Sequence, residues 1–131
     1  MEPFIPKLQA ALRKYYWDRF PNQENPSSIR KTRPIQDVSD YILRAWNAKL
    51  DRKTECALAG SKLLDSVLEN TGRRFASNVE EANDLYLAGM DAAGFLWDEL
   101  DSNKGNQSSY QIKVNEIITA LQEESAAGKG N

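Results

Sequence analysis

Carboxylates are the side chains of this chain best placed to do chemistry, and seven of them fall in one stretch. Residues 79–101 read VEEANDLYLAGMDAAGFLWDELD, with Glu80, Glu81 and Asp84 as EExxD, Asp98 and Asp101 as DxxD, and Asp91 between them. Such pairs can hold a hard cation such as magnesium, which takes oxygen ligands. Little other chemistry is open. The chain has no histidine, which excludes the commonest general base and transition-metal ligand, and with them Ser-His-Asp triads, Cys-His pairs and His-containing zinc sites. A single cysteine, Cys56, excludes CxxC redox pairs, all-cysteine zinc sites and an internal disulfide. Neither GxxxxGK(S/T) nor GxGxxG occurs. No cofactor and no metal site are expected from the remaining residues.

The EExxD and DxxD pairs resemble the EExxE and ExxD motif of all-α nucleoside triphosphate pyrophosphatases of the MazG-like kind, over about 22 of 131 residues. The resemblance implies a magnesium-dependent enzyme with carboxylates drawn from two adjacent helices. Here two of the five identities differ, and both halves fall in one predicted helix. At 1.5 Å rise per residue they stand ~20 Å apart, too far to share a cation bound at about 2.0–2.1 Å. This enzyme reading ranks third.

The same stretch also reads as a surface. At about 100° per residue, Glu80, Asp84, Asp91 and Asp98 share a sector roughly 40° wide. The opposite side carries Leu85, Gly89, Ala92, Ala93, Leu96, Trp97 and Leu100. A charged stripe is commonly just a solvated face. However, Leu87 and Phe95 flank this one, and apolar anchors rimmed by charge characterise protein interfaces. The expected protein-binding residues are therefore Glu80, Asp84, Leu87, Asp91, Phe95 and Asp98. Gly89 invites a close helix approach, and Gly94 implies that something packs beside it.

Charge is distributed unevenly along the chain. Residues 1–53 hold 11 Lys/Arg and 6 Asp/Glu, a balance of +5, whereas residues 54–131 hold 6 and 13, a balance of −7. The basic half interleaves cations with aromatics in RKYYWDRF (13–20) and IRKTR (29–33), as nucleic-acid surfaces do. Arg13, Lys14, Trp17, Arg19, Arg30, Lys31 and Arg33 are the candidate contacts with nucleic acid or an acidic partner. A sequence pI near 5.2 and the lack of a DNA-binding signature place nucleic acid second to protein.

The elements that position these residues are helices. Ile5, Leu8, Leu12, Tyr15 and Tyr16 make one stripe, predicting a helix over about 3–20 that Pro21 stops. Residues 21–36, with three prolines, read as a long loop. Val38, Tyr41, Ile42, Ala45 and Trp46 predict a helix over about 37–50. Cys56, Gly60, Leu63, Leu64 and Val67 continue the pattern over 52–71, either as a fresh helix capped by Asp51 after a break around 51–53, the favoured reading, or as one long bent helix over 37–71. Ser77 and Glu80 match a capping box that opens a helix over 78–101. Tyr110, Val114, Ile117, Ile118 and Leu121 predict the last, over 108–124, with 125–131 as a flexible tail. Cys56 reads as a buried, inert thiol.

The expectation is an all-α, single-domain bundle of four to five helices with a long Pro-containing loop after the first helix. No apolar run reaches membrane-spanning length and no signal peptide opens the chain, so no membrane partner and a cytoplasmic location are expected. The function expected first is non-enzymatic: an adaptor, inhibitor or regulator that occupies the surface of another protein or of a second copy of itself. Such a small, histidine-free, acidic-faced protein would fit a phage or mobile-element repertoire.

Overall fold

The computed structural model describes residues 4–16, 29–71 and 79–130, with the backbone alone for 29–31, 70, 71 and 123–130. Five α-helices account for nearly all of it: α1 (Phe4–Tyr15), α2 (Ile29–Asn47), α3 (Arg52–Thr71), α4 (Val79–Ser102) and α5 (Gln107–Gly130). The all-α bundle follows from the stripes. Ile5, Leu8, Leu12, Tyr15 and Tyr16 are buried together with Val38, Ile42, Leu63, Val67, Leu96, Val114, Ile117 and Leu121 in one core. No helix among the described residues is long and apolar enough to cross a membrane.

The two described corners are closed by local chemistry. After α2 the Lys49 amide donates to Trp46 O (3.0 Å) and the Leu50 amide to Ala45 O (3.1 Å). After α4 the Lys104 amide donates to Asp101 O (3.3 Å) and the Gly105 amide to Leu100 O (2.8 Å). Both are Schellman stops, with Lys49 (φ 58°) and Lys104 (φ 52°) in the left-handed conformation. Each corner then caps the next helix. Asp51 Oδ2 accepts from the Thr54 amide (2.9 Å) and from Thr54 Oγ1 (2.8 Å), and Asn106 Oδ1 accepts from the Ser109 amide (2.9 Å). The chain therefore breaks between two helices at residues 48–51, and Asp51 caps the second of them. The two bonds from Thr54 hold the Asp51 carboxyl below its ordinary pKa.

Three expectations need correction. Residues 29–36 are helical, so α2 opens eight residues before Asp37 and only the earlier part of the expected loop lies outside the described residues. Pro34 sits inside α2. Near the N-terminus its missing N–H forfeits a single bond, while Thr32, Pro34, Ile35, Val38 and Ser39 are all buried. Burial of that face outweighs the proline. α1 ends at Tyr15, with Tyr16 in a turn, short of the expected Phe20. α5 runs on to Gly130 where a tail was expected; EESAA supplies good helix formers. The Ser77 cap falls outside the described residues.

α4 is the central element and packs against all four other helices. On its α3 side two glycines let the backbones meet. A Cβ on Gly89 would lie 2.8 Å from Leu63 Cβ and 3.1 Å from Gly60 Cα, and one on Gly60 would lie 2.6 Å from Tyr86 O. With so much of α4 covered, its open sector is narrow, and that sector is the acidic stripe.

Candidate interaction groove

The open sector of α4 is a ridge between two depressions, one shared with α1 and one with the start of α3. Toward α1, a groove of about 580 Å³ is lined by Lys7, Ala10, Ala11, Lys14 and Tyr15 on one side and by Asp84, Leu87, Ala88 and Asp91 on the other. The spacing repeats. Lys7, Ala10, Ala11, Lys14 and Asp84, Leu87, Ala88, Asp91 both run i, i+3, i+4, i+7, which is two turns of one helical face. Charges stand at the ends and small or aliphatic residues between. The alanines leave the floor low, and Leu87 stands in it at 42% exposure.

The groove joins the two halves that the sequence keeps apart, since its α1 wall is basic and its α4 wall acidic. Tyr15 bridges the walls at one end, its hydroxyl donating to Asp84 Oδ2 (2.8 Å). The Lys14 ammonium lies 4.9 Å from the Tyr15 ring centroid. Tyr15, then the carboxylates of Glu80 and Asp84, hold it above its ordinary pKa.

The depression toward α3 is lined by Arg52, Lys53, Cys56, Met90, Asp91, Gly94, Phe95 and Asp98. Arg52 occupies its rim: Nε donates to Asp98 Oδ1 (3.1 Å), and Nη2 to Asp98 Oδ2 (3.3 Å) and Gly94 O (3.5 Å). This explains Gly94, where a Cβ would come within 3.2 Å of the guanidinium. Burial raises the Cys56 thiol pKa, opposed by Arg52, in keeping with an inert core cysteine.

The expected site residues therefore divide. Asp84, Leu87 and Asp91 come together with Lys14 in the groove. Glu80 is exposed one turn beyond Asp84, and Asp98 is engaged by Arg52. Phe95 lines the depression toward α3 and is half-buried, its ring 5.0 Å from that of Phe4 and tilted 41° to it. Arg13 is exposed, and Arg33 is paired within α2 to Asp37 (3.1 Å). Trp17, Arg19 and the side chains of Arg30 and Lys31 fall outside the described residues.

Both halves of the EExxD and DxxD pattern lie on α4, at opposite ends. Glu81 is buried, and Asp101 accepts from the Trp46 indole (2.7 Å). Among the described residues no three metal-capable side chains cluster.

Sequence reasoning missed the α1 wall. Lys7 and Ala10 drew no notice because the apolar stripe of α1 faces the core and they lie off it, while Ala11 is buried on the edge of the stripe itself. Their i, i+3, i+4, i+7 match to the α4 residues was the available signal. It also missed the buried carboxylates Glu81 and Glu55, the latter accepting from Tyr41 Oη (3.2 and 3.3 Å). No protein-family model, curated protein or solved structure matches this chain.

Proposed function

We propose that this chain is a non-enzymatic interaction protein that receives a helix from a partner protein in the α1/α4 groove. One observation carries the reading: two walls of opposite charge, each two turns long on a single helical register, enclose a floor of alanines and one exposed leucine. A helix laid between them gains apolar contact with Leu87, Ala10 and Ala88. It also meets charges on both sides that fix its direction, the helix-in-groove mode of recognition. The adaptor, inhibitor or regulator roles are all served by such occupancy.

The test places a photo-crosslinking amino acid at Leu87 and identifies the captured peptide by mass spectrometry in cells that make the protein. Capture of a helical segment is expected, and it should be lost when Ala10→Trp fills the groove or Lys7→Glu and Lys14→Glu reverse its basic wall. Capture unaffected by all three changes would refute the reading.

A further inference from the structure

We infer that the helix received by the groove belongs to a different protein and carries opposite charges on its two edges, carboxylates along one and cations along the other, each at i, i+7 spacing. The inference rests on the groove reading and gives the chemistry of the partner for it.

The register of the two walls comes first. The Tyr15 hydroxyl donates to Asp84 and the Phe4 ring packs on that of Phe95. α1 and α4 therefore run antiparallel, each step up one matched by a step down the other. Ala11 is then level with Ala88, Lys7 with Asp91 and Lys14 with Asp84. A lysine faces an aspartate at each end of the groove, and these two rungs stand ~10 Å apart at 1.5 Å rise per residue.

Neither rung is closed. Among the described residues no ion pair joins Lys7 or Lys14 to Asp84 or Asp91, and Lys7, Lys14 and Asp91 are exposed. The Lys14 ammonium lies over the Tyr15 ring instead. A visitor between the walls must answer both signs at both rungs. A helix acidic on both edges satisfies the lysines and brings like charge to Asp84 and Asp91. One basic on both edges does the reverse, and like charges brought together suppress binding. A helix with an acidic edge beside α1 and a basic edge beside α4 pairs all four. Because each wall keeps one sign along its length, turning that helix end for end exchanges its edges. It fits in one direction, and the order of its charges decides which.

The outer helices of this chain do not match. On α5 Lys113 lies 3.5 Å from Glu116, on α2 Arg33 lies 3.1 Å from Asp37, and on α3 Lys62 stands one turn from Asp65. Each mixes signs along one edge, so those faces of a second copy bring like charge to one wall whichever way they dock.

The experiment titrates three synthetic helical peptides into the full chain by fluorescence anisotropy, at low and high salt. All share one seam of alanine and leucine; their edges are Glu and Lys, Glu and Glu, or Lys and Lys. The Glu/Lys peptide should bind about tenfold tighter than either of the others and loosen as salt screens its pairs. A spin label on its N-terminus should broaden the amide signals at one end of the groove, and exchanging its edges should move the broadening to the other end. With Lys7→Glu and Lys14→Glu together both walls are acidic, so the preference should pass to the Lys/Lys peptide.

Three peptides bound alike, or a label that stays at one end when the edges are exchanged, overturns the inference; loss of that binding in Ala10→Trp then keeps the groove reading. A Glu/Lys peptide that does not bind overturns the inference as well, and the groove reading stands or falls on its own crosslinking test. Binding that Ala10→Trp leaves intact puts the peptide elsewhere and overturns the inference, and if crosslinked capture survives the same change the groove reading falls with it. Self-association of the chain that the Glu/Lys peptide dissolves makes a second copy the occupant and overturns the inference alone.

Discussion

α4 meets α3 and α1 through small residues on both of its sides, and the outcomes are opposite. Toward α3, Gly60 and Gly89 bring the backbones together until a Cβ on either would collide with its neighbour. Toward α1, Ala10, Ala11 and Ala88 leave an open groove. Small residues permit close approach without causing it. What differs is the surroundings. The α3 seam is flanked by fully buried Leu63, Leu85 and Ala93, so closing it removes apolar surface from water. The α1 side is flanked by Lys7, Lys14, Asp84 and Asp91, whose hydration would be lost if the walls closed.

Filling the closed seam should have the largest effect. Gly89→Val adds a branched side chain whose Cβ alone would come within 2.8 Å of Leu63 Cβ, and overpacking of this kind should cost about 3 kcal/mol. Denaturant unfolding measures it; a loss under 1 kcal/mol would mean that α3 and α4 can separate easily and that the two sides of α4 are less different than they look.

A smaller effect is expected where α5 joins the closed part of the bundle. The buried Tyr110 hydroxyl donates to Ser39 O (2.6 Å). Tyr110→Phe leaves that carbonyl without its donor and should cost about 1–2 kcal/mol. Burial also pushes the Tyr110 pKa up strongly. With the folded value above the unfolded one, its contribution is complete below about pH 10 and is lost as pH rises beyond. Wild type should therefore lose stability above pH 10 by more than Tyr110→Phe does, which paired melts would show.

Smaller again is the surface pair on the α3 side of the ridge. Arg52 and Asp98 are each about half exposed or more, so Arg52→Ala should cost about 0.5 kcal/mol or less. The same variant separates the two depressions beside α4. If stability is kept and capture is unchanged, the depression beside α3 plays no part in docking and the α1 groove stands alone.

The bundle was legible because its stripes are strong. Tyr110, Val114, Ile117 and Leu121 occupy a helical face that only burial explains, and Asp51 before Thr54 is a cap in any context. The start of α2 was not legible, because Pro34 and its neighbouring prolines signal a loop locally while the burial of Thr32 and Ile35 depends on partners far along the chain. The site was half legible for the same reason. Asp84, Leu87 and Asp91 announce a face within one helix. Nothing in the sequence places Lys7 and Lys14 opposite them, and nothing reveals that Phe4 covers Phe95 or that Arg52 claims Asp98.

The decisive substitution is expected to have the smallest effect on stability. Ala10 is exposed on the groove floor, so Ala10→Trp meets open space where Gly89→Val meets backbone. Its cost should stay within about 0.5 kcal/mol, the range of ordinary surface changes, and part of that is the lower helix propensity of tryptophan. Binding should respond in the opposite way, because an indole on the floor occupies the volume that a docked helix needs. Matched melts and peptide titrations on the same sample give both numbers. A stable variant that no longer binds or captures would show that the alanines are kept small for a visitor. A variant destabilised as much as Gly89→Val would show that α1 and α4 already close over this floor, and that the two sides of α4 are alike.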